Sequence, residues 1–384
     1  MLCRFEDRLS GQALELFDFS RRIRACQADE LPAAFADIEA SRQQGCWVAL
    51  LLDYELGEWL EPAVLEMGEE RARPRALPAD SADAPRLTAL VYKHAARVPV
   101  WSGLADESVV DLDAQLFIEK HHYLQQVESI RASIGRGDLY QTNYTFPIKV
   151  ESAAPYPDLY KAIAARHPAS HAAYIEDGAR TILSFSPELF FARKGATLTV
   201  RPMKGTAPRH ADPVLDNLAA QELQHSAKNR AENLMIVDLL RNDLGRLATP
   251  GSVNVDALFS LEGYPSVWTL TSTISAQAPD KSLEALLRAL FPCGSITGAP
   301  KIAAMKKIRE LEAHPRGIYC GSVGWLAPDG DCSLNVAIRT LSMQQGGSGV
   351  FGVGGGIVHD SDAELEWQEC QWKARILRFG DAAD

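Results

Sequence analysis

The sequence predicts a mixed α+β fold. Short strand-like runs and helical runs follow one another without the regular strand–helix–strand rhythm of a doubly wound sheet. No Rossmann GxGxxG or P-loop stands between a strand and a helix. Gly352-Val-Gly-Gly-Gly356 is glycine-rich, but it precedes strand-like Ile357-Val358 rather than a phosphate-binding helix. No repeat with a period of about 20–50 residues is present.

In chain order, Ala13–Phe19 alternates apolar with polar residues as a strand does, and Leu31–Ala40 repeats apolar residues at helical spacing. Cys46–Asp53 is a continuous apolar run expected as a buried strand. Residues 66–86, rich in Glu, Arg, Ala, Pro and Asp, read as an exposed and mobile excursion. Residues 1–110 therefore form an N-terminal support region, intertwined with a second region over 112–380 that carries the motifs. There a helix is expected over Phe117–Ile134, a strand over Asp138–Ile148 and a shorter helix over Tyr156–Arg166. Strands follow at Ala173–Ile175, Thr181–Ser186 and Ala196–Val200. Glu222–Arg246 reads as one long helix with Leu234, Val237, Leu240 and Leu244 in a stripe. Ser282–Leu290 is amphipathic. The next helix, reaching about Ala313, is expected to start with Thr297 as its cap and Pro300 in its first turn.

Composition narrows the function. The chain has 384 residues, 46% hydrophobic and 23% charged, which gives an ordinary globular protein with a large core. A net charge of −11 without any basic block argues against nucleic-acid binding. Seven cysteines without a CxxC pair argue against a disulfide framework or a zinc site. With no signal peptide or membrane span legible, a soluble cytoplasmic protein is expected.

Three stretches invite chemistry, and each leaves two readings open. In Arg201-Pro-Met-Lys-Gly-Thr206 a lysine follows an apolar strand and precedes a turn glycine. It is either a snorkelling surface lysine or an amine nucleophile facing a cleft. Thr297-Gly298 before a helix is either an ordinary helix start or an anion site. Asp362, Glu366, Glu369 and Lys373 share one helical face, which is either a solvated ion-pair surface or an oxygen-only site suited to Mg²⁺.

Taken in order, the motifs resemble those of the chorismate-utilising enzymes, most closely their aminodeoxychorismate synthase branch. They are Gly137–Asn143, Phe185–Phe190, Arg201–Thr206, Lys228–Asp243, Phe291–Lys301, Gly321–Gly324, Ile338–Thr340 and Gly354–Ile357 with the acidic helix beyond. They cover about residues 115–378. The resemblance implies an anthranilate synthase component I-like fold: two facing, mostly antiparallel sheets flanked by helices, with the active-site cleft between them. It also implies conversion of chorismate and ammonia to 4-amino-4-deoxychorismate, for 4-aminobenzoate and folate synthesis. Lys204 would be the covalent nucleophile at C2 and Glu188 the acid for the departing C4 hydroxyl. Glu232, Glu366 and Glu369 would hold Mg²⁺. Thr206, Thr297, Gly298, Tyr319, Arg339, Gly354, Gly355, Gly356 and Lys373 would bind the substrate.

Within this resemblance Lys204 argues against the anthranilate synthases, which typically carry alanine there. Gln141 argues against the isochorismate and salicylate synthases, which use a lysine base there. An anthranilate synthase large subunit and a non-catalytic chorismate-binding subunit are the alternatives. Thr269 stands where many relatives carry histidine. No Cys-His-Glu glutaminase triad is legible, so ammonia is expected from a separate glutamine amidotransferase subunit, and a separate lyase would then release pyruvate. A tryptophan site, frequent in the family, has no residues assigned here.

Overall fold

The computed structural model describes residues 1–66, 84–104, 110–264 and 267–377, so most of the expected excursion at 66–86 lies outside the described residues. Every strand pairing described is antiparallel, and the pairings link all the strands into one long ribbon. It starts at Asn254–Gly263 beside Val267–Gln277, and continues through Thr197–Arg201, Leu189–Lys194, Cys332–Asn335 and Ser322–Leu326. It turns through Trp47–Leu52, Leu87–Pro99, Gln12–Ala25 and Cys3–Asp7. It ends through His171–Glu176, Arg180–Ser186, Thr340–Gln344, Ser348–Ile357 and Gln141–Glu151.

Side-chain alternation shows how the ribbon folds on itself. In Trp47–Leu52, Val48, Leu50 and Leu52 belong to one core, shared with helices Leu31–Gln43, Ala227–Gly245 and Leu283–Leu290. Ala49 and Leu51, on the opposite face, belong to another core with Ala173, Ile175 and Ile182. The opposite face of those latter strands, with Tyr174, Leu183 and Phe185, packs on helices Tyr156–Arg166, Lys120–Gly135 and Ala363–Ala374. The two expected facing sheets are thus the two halves of one ribbon, with helices outside and an apolar layer between. No helix among the described residues is long and apolar enough to cross a membrane.

The expected elements are found, with four corrections. The single helix over Glu222–Arg246 is two, Pro213–His225 and Ala227–Gly245. Ser226 separates them, taking extended geometry and accepting a cap bond from the Asn229 N–H at 3.3 Å. Within the second helix the buried face runs through Asn233, Ile236, Val237, Leu240 and Leu244, and Leu234 is 44% exposed. Gly205 is not a turn glycine. Lys204 lies within strand Met203–Pro208, and the register shifts between Lys204 and Thr206 to leave Gly205 as a bulge at φ +84°.

Thr297 does not cap a helix, because its hydroxyl donates to the Cys293 carbonyl at 2.8 Å. The helix begins later, at Lys301, with Pro300 in the cap position. Finally, Gly298-Ala299 is a short strand pairing with Thr142 and Gln141 rather than the start of a helix. Gly298 has φ +138°, and a Cβ there would lie 2.2 Å from the Gln141 carbonyl oxygen. Gly298→Ala is therefore expected to destabilise the fold by about 3 kcal/mol, read as a lowered urea midpoint at unchanged slope.

Candidate active site

The two ends of the ribbon meet at one cavity. From one end come Lys204, Gly205 and Thr206 with Thr269; from the other come Asn143 and the backbone of Phe351–Gly356. Lys204 is held in its strand opposite Leu270, and the Thr269 hydroxyl donates to the Gly205 carbonyl at 3.0 Å, fixing the bulge beside it. Thr269 thus has a backbone partner. A methyl group on Gly356 would lie 3.1 Å from Lys204 Nζ, 2.7 Å from Gln141 Nε2 and 3.1 Å from Asn143 Oδ1. The lysine amine therefore reaches across the cavity to the opposite ribbon end.

Glu188 follows strand Arg180–Ser186 and precedes Leu189–Lys194. Its backbone is pinned at both groups: the Glu188 N–H donates to Ser186 Oγ at 3.2 Å, and the Val336 N–H donates to the Glu188 carbonyl at 3.0 Å. The residue is buried, only 3% exposed. Burial pushes its pKa up to about 7, against the Ser295 hydrogen bond, the nearby Lys204 charge and the Met203 backbone, which favour the anion. Ser295 Oγ donates to Glu188 Oε1 at 2.7 Å and lies 3.2 Å from Cys293 Sγ. Ser295 was within a motif read only for its threonine and glycine; a hydroxyl in an otherwise apolar buried segment was its signal.

The acidic wall is built by two helices. Asn233 ties Ala227–Gly245 to the sheet, donating to the Leu270 carbonyl at 3.2 Å and accepting from Ser272 Oγ at 2.6 Å, which places Glu232 over the cavity. Asp362 caps Ala363–Ala374, which brings Glu366, Glu369 and Lys373 to the opposite rim. Lys373 donates to the Gly354 carbonyl and pairs with Glu369, both at 2.8 Å. Burial raises the pKa values of Glu232 and Glu366, with the Glu369 charge adding to both; Lys373 lowers that of Glu369. Three carboxylates on one cavity wall form a hard oxygen donor set of the kind Mg²⁺ takes. As described, Glu369 is drawn to Lys373, Glu366 accepts from Ser361 Oγ at 2.7 Å, and no group of three metal-ligating side chains converges among the described residues. The expected three-carboxylate ligand cluster is therefore not preformed.

Arg339 lines the cavity from a backbone at φ +48°, a strained conformation for a side-chain-bearing residue. Its guanidinium has no carboxylate partner among the described residues. Burial lowers its pKa, opposed by Tyr264. Tyr319 packs its ring on Gly352. Thr206, Gly354, Gly355 and Gly356 also line the cavity, whereas Thr297 and Gly298 do not. Lys228 and Asn229, which no role was expected to involve, line it too; their signal was a position one turn before Glu232 on the same helix.

Residues 12–378 match the family model of the chorismate binding enzymes. The chain is 46% identical over 251 residues to aminodeoxychorismate synthase component 1 of Salmonella typhimurium, covering 64% of this chain and 54% of that protein. It is 43% identical over 271 residues to the Escherichia coli protein of the same name, covering 69% and 59%. It is also 38% identical over 258 residues to anthranilate synthase component 1 of Streptomyces coelicolor, covering 66% and 50%. The chain thus spans little more than half the length of these relatives. Among solved structures, anthranilate synthase component I of Streptococcus pneumoniae superimposes with a TM-score of 0.81 at 23% identity, over 96% of this chain and 92% of that one. That likeness shows the fold.

Proposed function

Because this chain belongs to the chorismate binding enzyme family, we propose that it is the synthase component of an aminodeoxychorismate synthase. Such a component converts chorismate and ammonia to 4-amino-4-deoxychorismate and water. The observation that carries this reading is the placement of a buried carboxyl with a pKa near 7, Glu188, and the Lys204 amine in one cavity. An acid and an amine nucleophile are what exchange of the C4 hydroxyl needs. The 43–46% identity to relatives bearing that name supports it.

Attack requires an unprotonated amine on Lys204, and departure of the hydroxyl requires a proton on Glu188. The amine forms a bond to C2 while the two conjugated double bonds each shift by one position. The C4–O bond breaks, and the oxygen leaves as water with the Glu188 proton. Ammonia then bonds to C4, the double bonds return, and the C2–N bond to Lys204 breaks. Arg339 offers a bidentate fork to a carboxylate of the dianionic substrate, with Tyr319 and Thr206 beside it. Lys373 and the Gly354–Gly356 backbone would border the other carboxylate. Glu232, Glu366 and Glu369 would hold Mg²⁺, which when bound neutralises the ring carboxylate and withdraws electron density from the diene.

Ammonia would come from a glutamine amidotransferase subunit, in keeping with the "component 1" of the relatives' names. A cytoplasmic setting agrees with seven cysteines that are all free. The test is incubation with chorismate, ammonium and Mg²⁺, followed by mass spectrometry. Aminodeoxychorismate is expected, with loss of activity in a chelator and recovery on adding Mg²⁺. Fluorescent anthranilate as the product, or no amination, would overturn the reading.

A further inference from the structure

Ser295 reaches the catalytic cavity from the short turn Gly294–Ile296, and that turn is fixed from behind. Thr297 clamps it: the Thr297 N–H donates to the Gly294 carbonyl at 3.2 Å and the hydroxyl to the Cys293 carbonyl at 2.8 Å. Arg316 Nη1 donates to the Ile296 carbonyl at 3.0 Å. Gly294 lies so close to helix Ala227–Gly245 that a Cβ on it would stand 2.3 Å from Leu239 Cδ2. Cys293, Ser295 and Thr297 are all buried, at most 5% exposed. Thr297, expected to bind the substrate, therefore bears on the site through the turn that carries Ser295.

The hydrogen bonds around Ser295 have one sense. A serine hydroxyl carries a single proton, and Ser295 donates it to Glu188 Oε1 at 2.7 Å. The 3.2 Å contact between Ser295 Oγ and Cys293 Sγ must then run from the thiol to the hydroxyl oxygen. Burial, with the Glu188 charge adding, pushes that thiol up to about 12, so its proton is present at any working pH. Reversing the chain would exchange an O–H···O bond for one to sulfur, a weak acceptor. Oε1 is thereby committed as an acceptor, which leaves Oε2 to carry the proton of the neutral carboxyl. Ser295 is the only side chain among the described residues that hydrogen-bonds this carboxyl. The other groups acting on it are the Lys204 charge and the Met203 backbone, and the buried Cys320 thiol senses its charge in turn.

We propose that Cys293 and Ser295 form a directional chain that assigns the acid proton of Glu188 to Oε2 and steadies the carboxylate left when that proton departs. This rests on the aminating reading above, in which Glu188 is the acid. As the C4–O bond breaks, its electron pair moves to the oxygen; the Oε2–H bond breaks and its proton completes a water. The Oε2–H electron pair stays on the carboxylate, and the Ser295 bond becomes charge-assisted, stronger after the transfer than before it. Ser295 is thus a positioning residue. Infrared difference spectra, each protein read against the same protein carrying Glu188→Gln, follow the Glu188 carboxyl band with pH. Ser295→Ala is expected to raise its midpoint by about one pH unit, because a bond that favours the anion is lost. Cys293→Ala should raise it less, and Ser295→Thr, which keeps the hydroxyl, should restore it. With chorismate, ammonium and Mg²⁺, Ser295→Ala is expected to lower kcat roughly tenfold below the midpoint and to move its decline to higher pH, while the chorismate KM holds. An unmoved midpoint in both alanine variants overturns the chain, as does a chorismate KM that rises while kcat holds. A wild-type protein that forms no aminated product overturns the aminating reading instead, and the infrared midpoints still decide whether the chain acts on Glu188.

Discussion

Lys204→Ala is expected to lower the rate of aminodeoxychorismate formation from chorismate and ammonia by on the order of a thousandfold or more, because the covalent path then closes. The side chain faces a cavity and is held by a strand, so its removal leaves the fold intact. Mass spectrometry of the products separates the outcomes. Undiminished aminodeoxychorismate would sink the covalent role. A switch to anthranilate would show that Lys204 determines which carbon receives the amine. Trapped wild-type protein should gain the mass of a dehydrated chorismate, and the alanine variant should not.

Glu188→Gln is expected to lower kcat by roughly 10²–10⁴-fold, the usual worth of a positioned general acid. The pH dependence gives an independent readout. Folding raises the Glu188 pKa from its ordinary 4.5 to about 7. The acid is therefore present below about pH 7, and the step that needs it declines above that. The glutamine variant, carrying no titrating proton, should show a flat residual rate across the same window. Stability follows the same sign. The folded state binds this proton more tightly than the unfolded chain, so the contribution is complete below pH 4.5 and is lost as pH rises to about 7. The glutamine variant should lack that decline in its melting temperature.

Much of this architecture was legible because local patterns agreed with the final packing. The apolar run Cys46–Asp53 is a buried strand, and the amphipathic stretch Ser282–Leu290 is a helix over Leu283–Leu290. The failures arose where tertiary partners outbid local preference. Glu222–Arg246 has helical text throughout, yet Ser226 finds a cap partner and splits it. Thr297 precedes a proline and a helix, as a cap should, but pairing of Gly298 with Thr142 from more than 150 residues away claims that backbone first. Gly205 read as a turn because bulges share its positive φ, and only the partner strand distinguishes them. Of the cavity lining, Lys204, Glu188, Glu232, Glu366, Glu369, Arg339 and Lys373 take roles from the motifs, whereas Lys228 goes without one. Ser295 and Thr269 could not be given partners, since those lie on segments distant in sequence.

The meeting of the ribbon's ends has a consequence for binding. Lys204 and Gly356 face each other across about 150 residues of chain, on strands whose own pairings, Lys204 with Leu270 and Gly356 with Asn143, are also distant in sequence. Closing such distant contacts costs loop entropy. A substrate that touches both ends then acts as a clasp on the ribbon. It stabilises the closed ribbon by its own binding free energy, about 2.7 kcal/mol at a hundredfold excess over Kd.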